Sequence, residues 1–300
     1  MNDLDSIISS LKTIIASLEA FKVSNPKVSS LSVPPVELSE FEALKNLLNS
    51  NDWPVAADPD LICDMQSENE KAERGRGIVD MMIEQNLSGL KFLDFGCGEG
   101  HATRYALERG ASLAVGFDIK EQWKKSDSDK LIYTSDFEEV VKNGPYDAVL
   151  MFDVLDHLKN ETPVDVLKKI YASMTAKGLL YCYVHPFTSR HATHLYNHLN
   201  KAYLHLVFTP EELSEILPGV QGEPNYGIKY PLKEYAAIFT QGGFHGTGGG
   251  FQSKKEHIEP AEDFFKRPSI INRIRKNTGM TGFPEYQLSV QGIEYTLRKT

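Results

Sequence analysis

The sequence predicts an α/β protein: a mostly parallel sheet with helices on both faces, a C-terminal antiparallel hairpin, and an N-terminal helical appendage. Three observations predict it. From Leu90 onward, short apolar runs alternate with helical stretches, the pattern of strands buried on both faces. A glycine-rich turn closes the first of these runs and opens a helix. Ahead of residue 36, the composition shifts from an apolar stripe at helical spacing to a Ser/Pro-rich stretch.

The appendage is residues 1–35. Leu4, Ile8, Leu11, Ile15 and Leu18 follow a heptad spacing of four, three, four and three. Ile7, Ile14 and Phe21 widen this seam to a broad stripe, which suits either self-association in a small bundle or docking on the rest of the chain. The polar side holds few lysines, which argues against a helix lying on an anionic membrane. Residues 23–35 (VSNPKVSSLSVPP) read as a linker to a main domain over 36–300.

Within the main domain, Ser39 with Glu42 and Ser67 with Glu70 have capping-box spacing, and each opens a helix. Strands are predicted at 91–95, 113–118, 130–134, 148–152 and 179–184. Helices are predicted at 102–109, stopped by Gly110, and at 163–176, capped by Thr162 and Asp165 and ended by Gly178. The runs 286–290 and 293–297 flank Gln291-Gly292 and read as the closing hairpin. Residues 186–250 exceed what the minimal fold needs and form an acceptor-side insert with a glycine-rich loop. Inserts of this kind set specificity and close over sites.

Composition narrows the function classes. The net charge of -9 gives no global support for binding a phosphate backbone. The three cysteines, Cys63, Cys97 and Cys182, match no zinc or disulfide spacing. No run approaches the roughly 18 apolar residues of a membrane span, and the first residues lack the basic region of a signal peptide. The expected setting is cytoplasmic, with no membrane contact.

The chemistry begins at Leu93-Asp94-Phe95-Gly96-Cys97-Gly98-Glu99-Gly100. Glycine is needed where the backbone turns sharply and a ligand approaches without a Cβ in the way. A nicotinamide fingerprint would place its third glycine at position 101, which is His101 here. The strand 113–118 ends in Asp118, at the distance from the turn where a carboxylate can accept both hydroxyls of a ribose. Ser135-Asp136-Phe137 follows the next strand. Tyr146 to Phe152 then runs into Asp153-Val154-Leu155-Asp156-His157-Leu158.

With these four elements in order, the sequence resembles the class I, Rossmann-like, S-adenosylmethionine-dependent methyltransferase family, most closely over 91–158. The resemblance implies S-adenosyl-L-methionine as cofactor and S-adenosyl-L-homocysteine as product. It implies that Asp94, Gly96, Cys97, Gly98 and Gly100 hold the methionine portion. It places Asp118 on the ribose, Ile119 on the adenine face, Asp136 and Phe137 at the adenine edge, and Phe152 and Asp153 beside the methionine amine. It also turns His157 toward the cleft.

Methyl transfer from a sulfonium is an in-line displacement, so an oxygen acceptor needs alignment and a base. His185 directly follows the fifth strand, at the carboxyl edge where open α/β sheets bind ligands. His185, His191 and His157 are the candidate bases. His191, His194 and His198 would share a helix face with Tyr196 and Tyr203 nearby, lining a lid. Without a carboxylate at matching spacing they do not define a metal site, so none is expected. The C-terminal basic residues, Arg273 among them, read as a solvated surface.

The acceptor is expected to be a small molecule or a saccharide, methylated at oxygen. Nucleic acid is disfavoured: the Asp/Asn-Pro-Pro-aromatic turn of exocyclic-amine enzymes is replaced by Asp153-Val154-Leu155-Asp156, and neither Cys63 nor Cys182 follows a proline. Guanine-ring or ribose methylation is the alternative enzyme. A non-catalytic, cofactor-binding partner docking through the first helix is the alternative of another class.

Overall fold

The computed structural model describes residues 39–50, 52–56, 66–124, 126, 128–158, 161–190, 192–220, 230–246, 255–259, 267–280 and 284–299. The chain divides into two units, Met1–Asn46 and Leu47–Thr300. The described part of the first is residues 39–46, where Glu42 N–H bonds Ser39 Oγ at 3.2 Å and opens helix α1 (Glu40–Leu48). The apolar stripe from Leu4 to Phe21 and the linker lie outside the described residues.

In the second unit, α2 (Glu68–Met82) starts from a complete Ser67/Glu70 capping box. Then follow β1 (Lys91–Phe95), α3 (His101–Glu108), β2 (Leu113–Phe117), β3 (Leu131–Thr134), α4 (Phe137–Asn143), β4 (Tyr146–Phe152), α5 (Pro163–Ser173) and β5 (Met174–Val184). The insert contributes α6 (Leu204–Val207), α7 (Pro210–Ile216), α8 (Tyr235–Gln241) and β6 (Phe244–Gly246). The chain continues through β7 (Lys255–Ile258), α9 (Pro268–Thr278), α10 (Pro284–Ser289) and β8 (Val290–Lys299).

The strand order is β3-β2-β1-β4-β5-β8-β6, with β7 also paired to β8. The first five strands are parallel, and β8 is antiparallel to β5, β6 and β7. Period-2 alternation sends Leu93, Val115, Val149, Met151 and Leu180 into one core with Val140, Leu167 and Phe239. It sends Phe92, Ala114, Ala148, Leu150 and Tyr181 into the other with Val79, Met82 and Ala106. Burial on both faces is why these strands read as nearly continuous apolar runs.

Three local expectations are corrected. The C-terminal strands are antiparallel, β7 pairing with β8, but α9 and α10 lie between them and Gln291-Gly292 is not a turn. Gln291 is held inside β8 by hydrogen bonds to Leu288 O at 2.7 Å and from Arg190 N–H at 2.8 Å. A Cβ on Gly292 would stand 1.9 Å from the Tyr183 hydroxyl, so close packing explains this glycine. Residues 286–289 are accordingly helical. Gly178 lies inside β5, against Tyr146 O, and α5 stops at Ser173 instead. Arg273 is buried, paired with Glu212 and donating to Val207 O at 3.2 Å, and is not solvated surface.

Candidate active site

The carboxyl ends of β1, β2 and β4 carry the candidate cofactor residues. Asp94 and Gly116 are register partners in β1 and β2, and Asp94 and Leu150 in β1 and β4. Asp94 is 3% exposed. Burial raises its pKa to about 6 against the Thr103 hydrogen bond, and the Asp118 charge adds to the rise. Thr103 Oγ1 donates to Asp94 Oδ2 at 2.7 Å. A buried carboxyl held this way gains from a cation brought beside it.

Beyond Asp94 the backbone takes left-handed conformations at Gly96 (φ 84°), Gly98 (φ 51°) and Gly100 (φ 81°). A Cβ on Gly96 would meet Val154 Cγ2 at 2.2 Å, and one on Gly100 would meet the Tyr133 ring at 2.3 Å. At Gly98 a Cβ would meet nothing within 4 Å, so the turn opens on that side. Tyr133 OH closes the far side by donating to Gly100 O at 2.8 Å. Cys97 N–H bonds Phe117 O at 3.0 Å, and burial pushes its thiol far up, so it serves as an inert wall.

Asp118 follows β2 directly. Its Oδ2 accepts from Gly98 N–H at 2.9 Å and its Oδ1 from Lys120 N–H at 3.0 Å. These bonds aim the carboxylate at the open side of the glycine turn, and a carboxylate has lone pairs left for two hydroxyls. Beside it Ile119 is 79% exposed, an apolar side chain presented to solvent at the sheet edge. A buried acid, an open glycine turn, an aimed carboxylate and an exposed apolar residue together fit the ammonium, chain, ribose and base of an adenosyl amino acid.

The remaining cofactor candidates are placed differently. Asp136 caps α4, accepting from Glu138 N–H at 2.9 Å. Phe137 packs edge-on against Phe117 and Phe95 at 5.7 and 6.4 Å, so its ring is committed to the core. Phe152 stacks on Tyr183 at 4.5 Å. Asp153, at φ 56°, faces His185.

His185 is a clamped cation. Its Nε2 lies 3.1 Å from Asp153 Oδ1, and its Nδ1 lies 2.5 Å from Gln291 O. Burial opposes its charge, but Asp153, then Asp156 and the Gln291 carbonyl, outweigh it and raise the pKa to about 9. Asp156 is 1% exposed; burial, with the Asp153 charge adding, raises its pKa to about 7. With both nitrogens held, His185 does not present a base to an acceptor. His191 lies outside the described residues. His194 and His198 flank a 3₁₀ turn, Leu195–Asn197, and not an α-helix, so the shared histidine face does not form. His157 ends the turn after β4, its N–H bonding Val154 O at 2.9 Å. That same Val154 leans on Gly96, so His157 sits one short turn from the glycine cradle.

The His185 clamp makes stability depend on pH. An unfolded imidazole titrates near 6.5, so the raised folded pKa stabilises fully below about 6.5 and is lost as pH rises through about 9. The raised Asp156 acts in the same direction: its contribution is lost as pH rises through about 7. The melting temperature should fall by roughly 2–6 °C between about pH 6.5 and 9.5. His185→Gln should flatten that slope; an equal slope in the variant would contradict the clamp.

Sequence reasoning missed Thr103, Tyr133 and Val154. Thr103 alone left a signal, as a hydroxyl on the inward face of an amphipathic helix nine residues after Asp94. Glu68, Glu99 and His101 bring possible metal-ligand atoms within 4.8 Å of one another. Lys71 and Lys124 already pair with two of these acids, each at 2.6 Å.

The methyltransferase-domain family matches residues 67–220, just over half of the chain. The chain belongs to that family. It is a class I methyltransferase: its methyl donor is S-adenosyl-L-methionine, and S-adenosyl-L-homocysteine is the product. Among solved structures, it is similar to a SAM-dependent methyltransferase from Archaeoglobus fulgidus, with 18% identity over 76% of this chain and 94% of that one, TM-score 0.48. An S-adenosylmethionine-dependent methyltransferase from Mesorhizobium loti shows 15% identity over 76% and 98%, TM-score 0.44. The Burkholderia thailandensis 1,6-didemethyltoxoflavin-N1-methyltransferase, solved with 1,6-didemethyltoxoflavin and S-adenosylhomocysteine, shows 14% identity over 79% and 83%, TM-score 0.45. No curated protein matches.

Proposed function

We propose that this enzyme methylates a hydroxyl of a small-molecule or saccharide acceptor, with His157 as the base. Asp94 would take the methionine ammonium, with the backbone of Gly96, Cys97, Gly98 and Gly100 around the methionine chain. Asp118 would take the ribose hydroxyls, with Ile119 on the adenine face and the backbone at Asp136 and Phe137 near its edge. Phe152 and Asp153 would border the methionine amine. The observation that carries the reading is the aim of Asp118, fixed by Gly98 N–H and Lys120 N–H beside the open side of the turn. S-adenosyl-L-methionine supplies an electrophilic methyl group when bound; the protein aligns the acceptor oxygen and removes its proton.

Asp118→Ala should weaken S-adenosyl-L-methionine binding by about 1–3 kcal/mol, because two hydroxyls lose their acceptor. Calorimetric titration checks this, and unchanged affinity in a folded variant would remove Asp118 from the site. An acidic net charge of -9 supports a small acceptor over a polyanion. Among the described residues, no helix is long and apolar enough to cross a membrane, and Cys97 and Cys182 are free thiols. These support a cytoplasmic setting.

Residues 1–35 are proposed as an association element joined to a methyltransferase domain over 36–300, with the acceptor-side insert at about 186–250. Deleting 1–35 should lower the mass of the assembly by light scattering while S-adenosyl-L-methionine binding stays near wild type. An unchanged number of protomers would refute the association role.

A further inference from the structure

The insert brings a second histidine onto the proposed base. His157 Nε2 and His194 Nε2 lie 3.4 Å apart, with ring centroids at 4.9 Å. On the far side of the same ring, His194 Nδ1 lies 2.9 Å from Tyr196 OH. These residues come from segments 37 positions apart. His157 stands on the turn after β4, whereas His194 and Tyr196 stand on the 190–203 loop. That loop is closed by the Tyr203 N–H bond to Arg190 O at 3.0 Å and anchored by buried Leu195. Two imidazoles facing Nε2 to Nε2 can hold one proton between them, one ring donating and the other accepting. The phenol is matched to either tautomer of His194, because its oxygen donates or accepts as required.

We propose that His157, His194 and Tyr196 form a proton relay that carries the acceptor's proton away from the methyl-transfer site. The inference rests on His157 being the base of the proposed function, and it adds His194 and Tyr196 as residues acting through it. As the acceptor oxygen forms its bond to the methyl carbon, the methyl–sulfur bond breaks and its electron pair goes to sulfur, leaving S-adenosyl-L-homocysteine; the O–H bond breaks and the proton passes to one nitrogen of His157. The proton already on His157 Nε2 moves to His194 Nε2. The one on His194 Nδ1 moves to the Tyr196 oxygen, whose own proton leaves to water. Each ring changes tautomer and none ends charged, so no imidazolium is left in the site after transfer. Imidazole and phenol suit this task because each both donates and accepts. Charged neighbours of the pair are Asp153, which the His157 charge reaches, with His185 and Arg74 acting on that same carboxylate.

The test is nitrogen-15 NMR of the full chain labelled at its nine histidines, with S-adenosyl-L-homocysteine as the probe ligand. In wild type, His157 and His194 should titrate as a coupled pair in two steps separated by about one pH unit or more. His194→Phe keeps a ring in place but removes both nitrogens, so His157 should then titrate in a single step. Tyr196→Phe should change the tautomer balance of His194 while leaving the coupling in place. Identical titration of His157 in wild type and His194→Phe would overturn the relay, since mere ring packing survives that change. Stoichiometric Zn²⁺ shifting both Nε2 signals together would also overturn it, in favour of a metal site. Failure of His157 as the base is distinguishable: His157→Ala would then turn over a hydroxyl acceptor normally, whatever the coupling between the two rings.

Discussion

Replacing His157 by Ala is expected to lower methyl transfer to a hydroxyl acceptor by about 10²–10⁴-fold while leaving S-adenosyl-L-methionine affinity near wild type. The two effects separate because a base acts only as the acceptor loses its proton, whereas Asp94, the glycine turn and Asp118 are proposed to hold the cofactor in the ground state. His157 is placed for this by sequence-local geometry: its N–H closes a turn on Val154 O at 2.9 Å, and Val154 packs on Gly96. Removing the imidazole does not touch that backbone bond. Single-turnover kinetics with any hydroxyl acceptor the wild-type enzyme accepts would measure the effect. His185→Gln is the control, because the Asp153 and Gln291 contacts occupy both its nitrogens; it should lose stability before it loses chemistry. A His157→Ala enzyme that turns over normally would leave alignment alone as the catalytic device.

The second large effect is expected at Gly96. Gly96→Ala should destabilise the fold by about 1–3 kcal/mol through its left-handed backbone alone. Its φ is 84°, and the new Cβ would stand 2.2 Å from Val154 Cγ2 and 3.1 Å from Cγ1. Either the turn or the 153–157 loop must move, and both border the proposed cofactor site. S-adenosyl-L-methionine affinity should therefore fall by about tenfold or more, on the order of 1.4 kcal/mol. Adding Val154→Ala removes the two closest atoms, and that double variant should regain part of the loss. Gly98→Ala meets no protein atom within 4 Å, so it should keep the fold better than Gly96→Ala while obstructing the ligand side. Equal stability and affinity of Gly96→Ala and wild type would show that this turn is not under the constraint described.

The parallel sheet and the glycine turn were legible in the sequence because each rests on a local rule. Alternating buried runs mark β1, β2, β4 and β5, and capping residues such as Ser67 and Thr162 mark helix starts. What could not be read depends on contacts distant in sequence. Gln291-Gly292 carries ordinary hairpin chemistry, yet Tyr183 and Arg190 hold it inside a strand. Gly178 looks like a helix stop and is instead a strand residue beneath Tyr146. His185 looked available because its partners, Asp153 and the Gln291 carbonyl, lie 32 and 106 positions away. Helical spacing groups His194 with His191 and His198, but the fold sets it against His157 and Tyr196.

Calorimetric titration of the full chain with S-adenosyl-L-methionine, repeated with Asp118→Ala, tests the central claim most directly. One binding event per chain is expected, with S-adenosyl-L-homocysteine competing for the same site. A nicotinamide dinucleotide should give no heat, because His101 occupies the position of its third glycine. Affinity in Asp118→Ala should fall by about 1–3 kcal/mol with the melting temperature preserved. Absence of binding in wild type, or binding that Asp118→Ala leaves intact, would contradict the cofactor site described for Asp94 to Gly100 and Asp118.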